Sequence, residues 1–105
     1  MEQKIYDYLC QNCRGKDNMV SNRELRKIFN ISGDKKLRDI IKNIRKDPKK
    51  LEVVGSKSGK TGGYWIANTK SDCIETCENL THRANGIYKT AHIIKWKAEK
   101  KYGEI

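Results

Sequence analysis

Eight apolar residues near the C-terminus, Cys73, Cys77, Leu80, Ala84, Ile87, Ala91, Ile94 and Ala98, follow one another at spacings that alternate four and three. Only an α-helix brings such positions onto one face, and the repeat is that of a heptad seam. Cys73, Leu80, Ile87 and Ile94 form one row of it, and Cys77, Ala84, Ala91 and Ala98 the other. Thr69, with Asp72 three residues later, supplies a helix start. A helix from there to Lys101 would be about 45 Å long at about 1.5 Å per residue. Residues 1–68 are too few to cover it, so part of the seam is expected to bury against a second chain, making a homodimer. Asn85-Gly86 is the weak point: a glycine inside a helix costs about 1 kcal/mol relative to alanine, which leaves a kink or a helical hairpin open.

Ahead of the seam, Ile5, Leu9 and Cys13 recur every fourth residue between Glu2 and Cys13, the buried face of a first helix that Gly15 ends. Ser21 and Glu24 make a capping box, with Val20 and Leu25 at the hydrophobic-staple positions, so a second helix starts at Asn22 and turns Leu25, Ile28 and Phe29 inward. The segment Asn30-Ile31-Ser32-Gly33-Asp34 breaks the pattern as a tight turn. In the next segment Leu37, Ile40, Ile41 and Ile44 fall within about 100° of a helical wheel, and Pro48 ends this third helix. Leu51 to Val54, a Gly-, Ser- and Lys-rich loop over Gly55 to Gly63, and Tyr64 to Ala67 read as a β hairpin with a long basic tip.

Charge then separates the functional classes. The chain holds 23 Lys and Arg against 13 Asp and Glu, a formal charge of +10, which favours a polyanionic partner. Residues 34 to 60 alone hold ten basic residues and four acidic ones. Opposite the apolar stripe of the third helix lie Lys35, Arg38, Asp39, Lys42 and Lys46, with Lys36 and Asn43 at the margins and Arg45 in the same basic segment. Arg and Lys on such a helix can reach guanine edges in the major groove, Asn can pair with adenine, and the remaining cations can meet phosphates. Lys57 and Lys60 place two more cations in the hairpin tip, where they would follow the adjacent phosphate backbone.

The order helix, capped helix, tight turn, basic helix and basic hairpin resembles the winged helix-turn-helix domains over residues 2 to 67. Ser21-Asn22-Arg23-Glu24-Leu25-Arg26, Ile31-Ser32-Gly33, Gly63-Tyr64-Trp65-Ile66-Ala67 and Arg83-Ala84-Asn85-Gly86-Ile87 are similar to segments of small winged-helix proteins from phages and prophages of Gram-positive bacteria. That resemblance implies DNA binding in a mobile-element setting, and it carries no operator or regulated process with it.

Other motifs point elsewhere and are weaker. Gly55-Ser56-Lys57-Ser58-Gly59-Lys60-Thr61 is one residue short of a phosphate-binding P-loop, and Gly62 to Ile66 reads as a strand where that loop needs a helix. Cys10, Cys13, Cys73 and Cys77, with His82 nearby, carry the donors for a tetrahedral zinc, but Cys13 lies on the face of Ile5 and Leu9, and Cys73 and Cys77 hold seam positions. In a parallel dimer those two seam cysteines would face their own copies and could oxidise to an interchain disulfide. Neither His82 nor His92 neighbours a cysteine, so no nucleophile and base assemble. Tyr64 and Trp65 suit base stacking or a hairpin core. Nothing directs secretion or spans a membrane, so reduced thiols and the host cytosol are expected.

The sequence therefore predicts a mainly α fold with a small β hairpin: a winged helix-turn-helix over residues 1–68, then a long C-terminal helical segment, 69–105, for dimerisation or packing. The expected function is non-enzymatic binding of double-stranded DNA by helix 34–47 and wing 55–63, without cofactor or metal, in regulating transcription or replication. The rival is a phage-encoded adaptor or inhibitor that binds a host nucleic-acid enzyme through the C-terminal helix.

Overall fold

The computed structural model describes residues 1–103. Four helices and one hairpin follow in the order α1 (Glu2–Asn12), α2 (Asn22–Ile28), α3 (Asp34–Lys46), β1 (Val54–Lys57), β2 (Gly63–Ile66) and α4 (Lys70–Tyr102). A short 3-10 turn, Lys16–Asn18, which the sequence reading lacked, lies between α1 and α2. The fold is thus mainly helical with a two-stranded antiparallel hairpin, a winged helix-turn-helix followed by a long C-terminal helix. It divides into two compact units, Met1–Cys73 and Ile74–Ile105. No helix among the described residues is long and apolar enough to cross a membrane.

The core of the first unit follows the apolar periodicities. Ile5, Leu9 and Cys13 of the α1 face, Leu25 of α2, and Leu37, Ile40, Ile41 and Ile44 of α3 are all buried, with Val54, Tyr64 and Ile66 closing the core from the hairpin. The capping box forms on its Ser21 side, where the Glu24 amide donates to Ser21 Oγ at 3.1 Å. Val20 and Leu25, the staple pair, are both buried. At the other end α2 closes as a Schellman motif: the Ile31 amide donates to Arg26 O at 2.8 Å and the Asn30 amide to Lys27 O at 3.4 Å, with Asn30 at φ 53°. One expectation for α2 fails. Ile28 is 49% exposed, because the helix ends there after two turns. Phe29 beyond it is the residue that turns inward, meeting Tyr8 edge to face with ring centroids 5.7 Å apart.

Gly33 caps α3 at φ 94°, a left-handed conformation that suits glycine. α3 then packs against α1, α2 and β1, and ends at Lys46. The following Asp47 is extended, as a residue before proline must be. The chain leaves through a turn in which the Lys49 amide donates to Asp47 Oδ1 at 2.9 Å and Lys50 Nζ to Oδ2 at 2.6 Å. That ammonium holds the Asp47 carboxyl below its usual range, and the carboxylate in turn raises Lys50. The turn is therefore strongest above the ordinary carboxylate range and loosens as acid protonates Asp47.

The hairpin departs from the sequence reading at its first strand. Leu51 to Val54 was the expected strand, yet Leu51 is 85% exposed and pairing begins only at Val54, running to Lys57 with Val54 opposite Ile66 and Lys57 opposite Gly63. The turn at 47–50 and a bend at Glu52 come before β1, and Val53 joins the hairpin only through its carbonyl, which accepts from the Ala67 amide at 2.8 Å. The strand continues instead through Gly55, where an added Cβ would overlap the indole of Trp65. The tip is consequently five residues, 58–62, instead of nine, and folds on a bond from the Gly62 amide to Gly59 O at 3.1 Å. β2 also pairs on its other side with the segment linking α1 to α2. The Val20 and Tyr64 amides each donate to the other's carbonyl, and the Ile66 amide donates to Cys13 O.

In α4 the helix runs unbroken through Gly86 for 33 residues, about 50 Å at about 1.5 Å per residue, so the glycine makes neither a hairpin nor a break. The Asp72 amide donates to Thr69 Oγ1 at 3.1 Å, as the sequence start predicts. Trp65 Nε1 donates to the Asp72 carboxylate at 3.2 Å and ties the first turn of α4 to β2.

Candidate nucleic-acid interface

Because Leu37, Ile40, Ile41 and Ile44 are drawn into the core, the opposite face of α3 is held outward. Lys35, Arg38, Asp39, Lys42 and Lys46 are all exposed on it, four cations and one acid over about 16 Å of helix. Arg38 Nε lies 3.4 Å from Asp34 Oδ2, an exposed i,i+4 pair of the kind worth little in water and open to exchange for a phosphate. Gly33, at the N-cap position, offers no side-chain hydrogen bond to the first turn of α3.

Three other predicted contacts lie off this face. Asn43 Nδ2 donates to Glu2 Oε1 of α1 at 3.1 Å, so its amide is turned toward the first helix. Lys36 borders a shallow depression with Met1, Glu2 and Ile40 on that same flank. Arg45 departs most. Its guanidinium donates to Val54 O from Nε at 3.0 Å and from Nη2 at 2.8 Å, and Nη2 also reaches Ser56 Oγ at 3.0 Å. Arg45 therefore ties α3 to the wing, a role that helical spacing alone could not reveal because its partners lie on a strand beyond the turn at Pro48. Arg45→Met is expected to lower stability by about 1.5 to 3 kcal/mol, the range for charge-assisted hydrogen bonds, with little change in the salt dependence of any DNA binding. Urea midpoints and salt titrations read both; unchanged stability with a shallower salt slope would return Arg45 to the contact set.

On the wing, Lys57 ends β1 and Lys60 stands at the apex of the 59–62 turn, both exposed. The hairpin aromatics are not available for stacking. Trp65 is 4% and Tyr64 8% exposed, with Asn22 Nδ2 donating to the Tyr64 hydroxyl at 3.3 Å and Lys16 Nζ 5.8 Å from the Trp65 ring centre. Both are core residues, which decides between the two uses their sequence left open. The P-loop-like segment is likewise a strand, a turn and a second strand, with no helix to present amides to a phosphate.

The cysteines divide by burial. Cys13 is buried, Cys10 and Cys73 partly so, and Cys77 is exposed. Burial pushes the Cys10 and Cys13 thiols above their ordinary value. No group of three or more His, Cys, Asp or Glu side chains among the described residues is placed to hold a metal ion. Alkylation of the folded protein, at a dilution that keeps α4 unpaired, is expected to label Cys77 first and Cys13 only after unfolding; early labelling of Cys13 in a timed mass-spectrometric series would contradict its place in the core.

Along α4 the seam lies in the open. Ile87 is 71%, Ile94 63% and Leu80 38% exposed, and Ala84 and Ala91 are exposed with them, while Ala98 and Cys73 are partly covered. Compared with protein-family models, with curated proteins and with solved structures, the chain has no significant match.

Proposed function

We propose that this chain binds double-stranded DNA and catalyses no reaction. The outer face of α3 enters the major groove, where Arg38 and Lys42 can reach base edges and Lys35 and Lys46 meet phosphates on either side. Lys57 and Lys60 of the wing then follow the neighbouring backbone, and α4 joins two copies of the chain. The setting is a phage or mobile element, and the role is regulation of transcription or replication.

The observation that carries the reading is the exposed cationic face of α3, on a helix that its opposite face, Leu37, Ile40, Ile41 and Ile44, locks into the core. A rigid element presenting four cations outward meets the geometric requirement of a groove-reading helix.

Fluorescence anisotropy of a labelled duplex, titrated at about 50 and 200 mM salt, tests it. A protein that releases counterions from several phosphates loses affinity steeply over that range, with a slope near −0.9 for each phosphate neutralised. Absence of binding at the lower salt would overturn the proposal and favour a protein partner instead.

A further inference from the structure

We propose that two copies of the chain pair through α4 in antiparallel orientation, in the register that sets Cys77 against Ile94, Leu80 against Ala91, Ala84 against Ile87 and Cys73 against Ala98 of the second copy. The inference rests on the dimer in the reading above and adds its orientation and register.

α4 is one unbroken helix, so its seam cannot be covered by folding back on itself. Its two rows differ in size. One holds Leu80, Ile87 and Ile94 beyond Cys73, the other Ala84, Ala91 and Ala98 beyond Cys77. In a parallel pair each row meets itself, so layers of two alanines alternate with layers of two large aliphatic side chains. A single distance between helix axes cannot satisfy both: it leaves voids at the alanines or crowds the isoleucines. In an antiparallel pair each row meets the other, and every large residue between Leu80 and Ile94 faces an alanine or a cysteine. The layers from Cys77 to Ile94 then have similar volume, and only the two end layers, Cys73 with Ala98, are smaller.

The register follows from the same positions. All eight seam residues find partners when the two-fold axis passes between Asn85 and Gly86, beside the middle of a helix that runs from Lys70 to Tyr102. Nearly the full length of both helices then overlaps.

Charge favours the same orientation. Residues 72 to 78 carry Asp72, Glu75 and Glu78 and no base, whereas residues 93 to 101 carry Lys95, Lys97, Lys100 and Lys101 with the single acid Glu99. The antiparallel register lays the acidic turns of one copy along the basic turns of the other. Parallel pairing would set acids beside acids at one end and lysines beside lysines at the other.

Cysteine chemistry separates the alternatives. In the proposed register Cys77 lies seventeen residues along the helix from its own copy, about 25 Å, far beyond the roughly 7 Å over which a disulfide can close. An I94C variant places a thiol level with the exposed Cys77 of the second copy. The full-length variant would be oxidised mildly at a concentration where sedimentation equilibrium shows dimer, and its disulfides mapped by non-reducing digestion and mass spectrometry. The expected product is a covalent dimer linked from position 94 to Cys77. An A91C variant, whose new thiol faces Leu80, is expected to give no link at position 91. Symmetric links from 94 to 94 or from 77 to 77 would establish parallel pairing, and a dimer without the 94 to 77 link would refute the register. Wild-type protein that stays monomeric in the centrifuge would instead remove the dimer on which the proposal stands.

Discussion

Replacing Lys35, Lys42 and Lys46 together by glutamate is expected to weaken duplex binding by roughly a hundredfold or more at about 50 mM salt, because each change removes an attraction to phosphate and adds a repulsion. The fold should survive. All three side chains are exposed on the outer face of α3, and none of the hydrogen bonds that fix this helix involves them. Helix-dipole effects also offset one another: an acid at position 35 improves the first turn of α3, and an acid at 46 worsens the last. Anisotropy titrations and a thermal melt of the same sample provide the check. Lost binding with an unchanged melt supports α3 as the reading helix. Retained binding would move the contact surface elsewhere, first to the wing.

The second large effect concerns stability. Leu37 is completely buried where α3 meets the rest of the core, and Leu37→Ala is expected to cost about 2 to 5 kcal/mol, the sum of lost transfer energy and an unfilled cavity. In a unit of this size about 1 kcal/mol moves the melting temperature by roughly 4 to 8 °C, so the midpoint should fall by more than about 8 °C. Lys42→Ala, about one turn and a half further along the same helix but on its outer face, should change stability by no more than about 0.5 kcal/mol. Equal effects from the two substitutions would mean that α3 is not anchored by its apolar stripe.

The paired results bear on one structural fact, that the two faces of α3 are separable. Leu37, Ile40, Ile41 and Ile44 hold the helix, and Lys35, Arg38, Lys42 and Lys46 are thereby kept on its exposed side. Arg45 lies between the faces and joins α3 to β1, so under the proposed function the helix and the hairpin would be fixed to each other before DNA binds. Such preorganisation lowers the entropy lost on binding.

Much of this architecture is legible in the amino-acid sequence, and the legible parts share a cause. The capping box at Ser21, the apolar stripe of α3, the start of α4 at Thr69 and the alternating seam from Cys73 to Ala98 are patterns within a few turns of one helix, where 3.6 residues per turn fixes which side chains share a face. What only the tertiary structure decided involves residues distant along the chain. β1 begins at Val54 because its register with Ile66 and the fit of Gly55 beneath Trp65 select that pairing, and neither is encoded within Leu51 to Lys57 itself. Arg45 and Asn43 are side-chain types that suit DNA contact, yet the carbonyl of Val54 and the carboxylate of Glu2 engage them. Gly86 lowers helix propensity locally, and the helix continues through it all the same. Helical periodicity is a local property and can be counted along the chain, whereas strand register and the partner of a long polar side chain depend on which surfaces the finished core brings together.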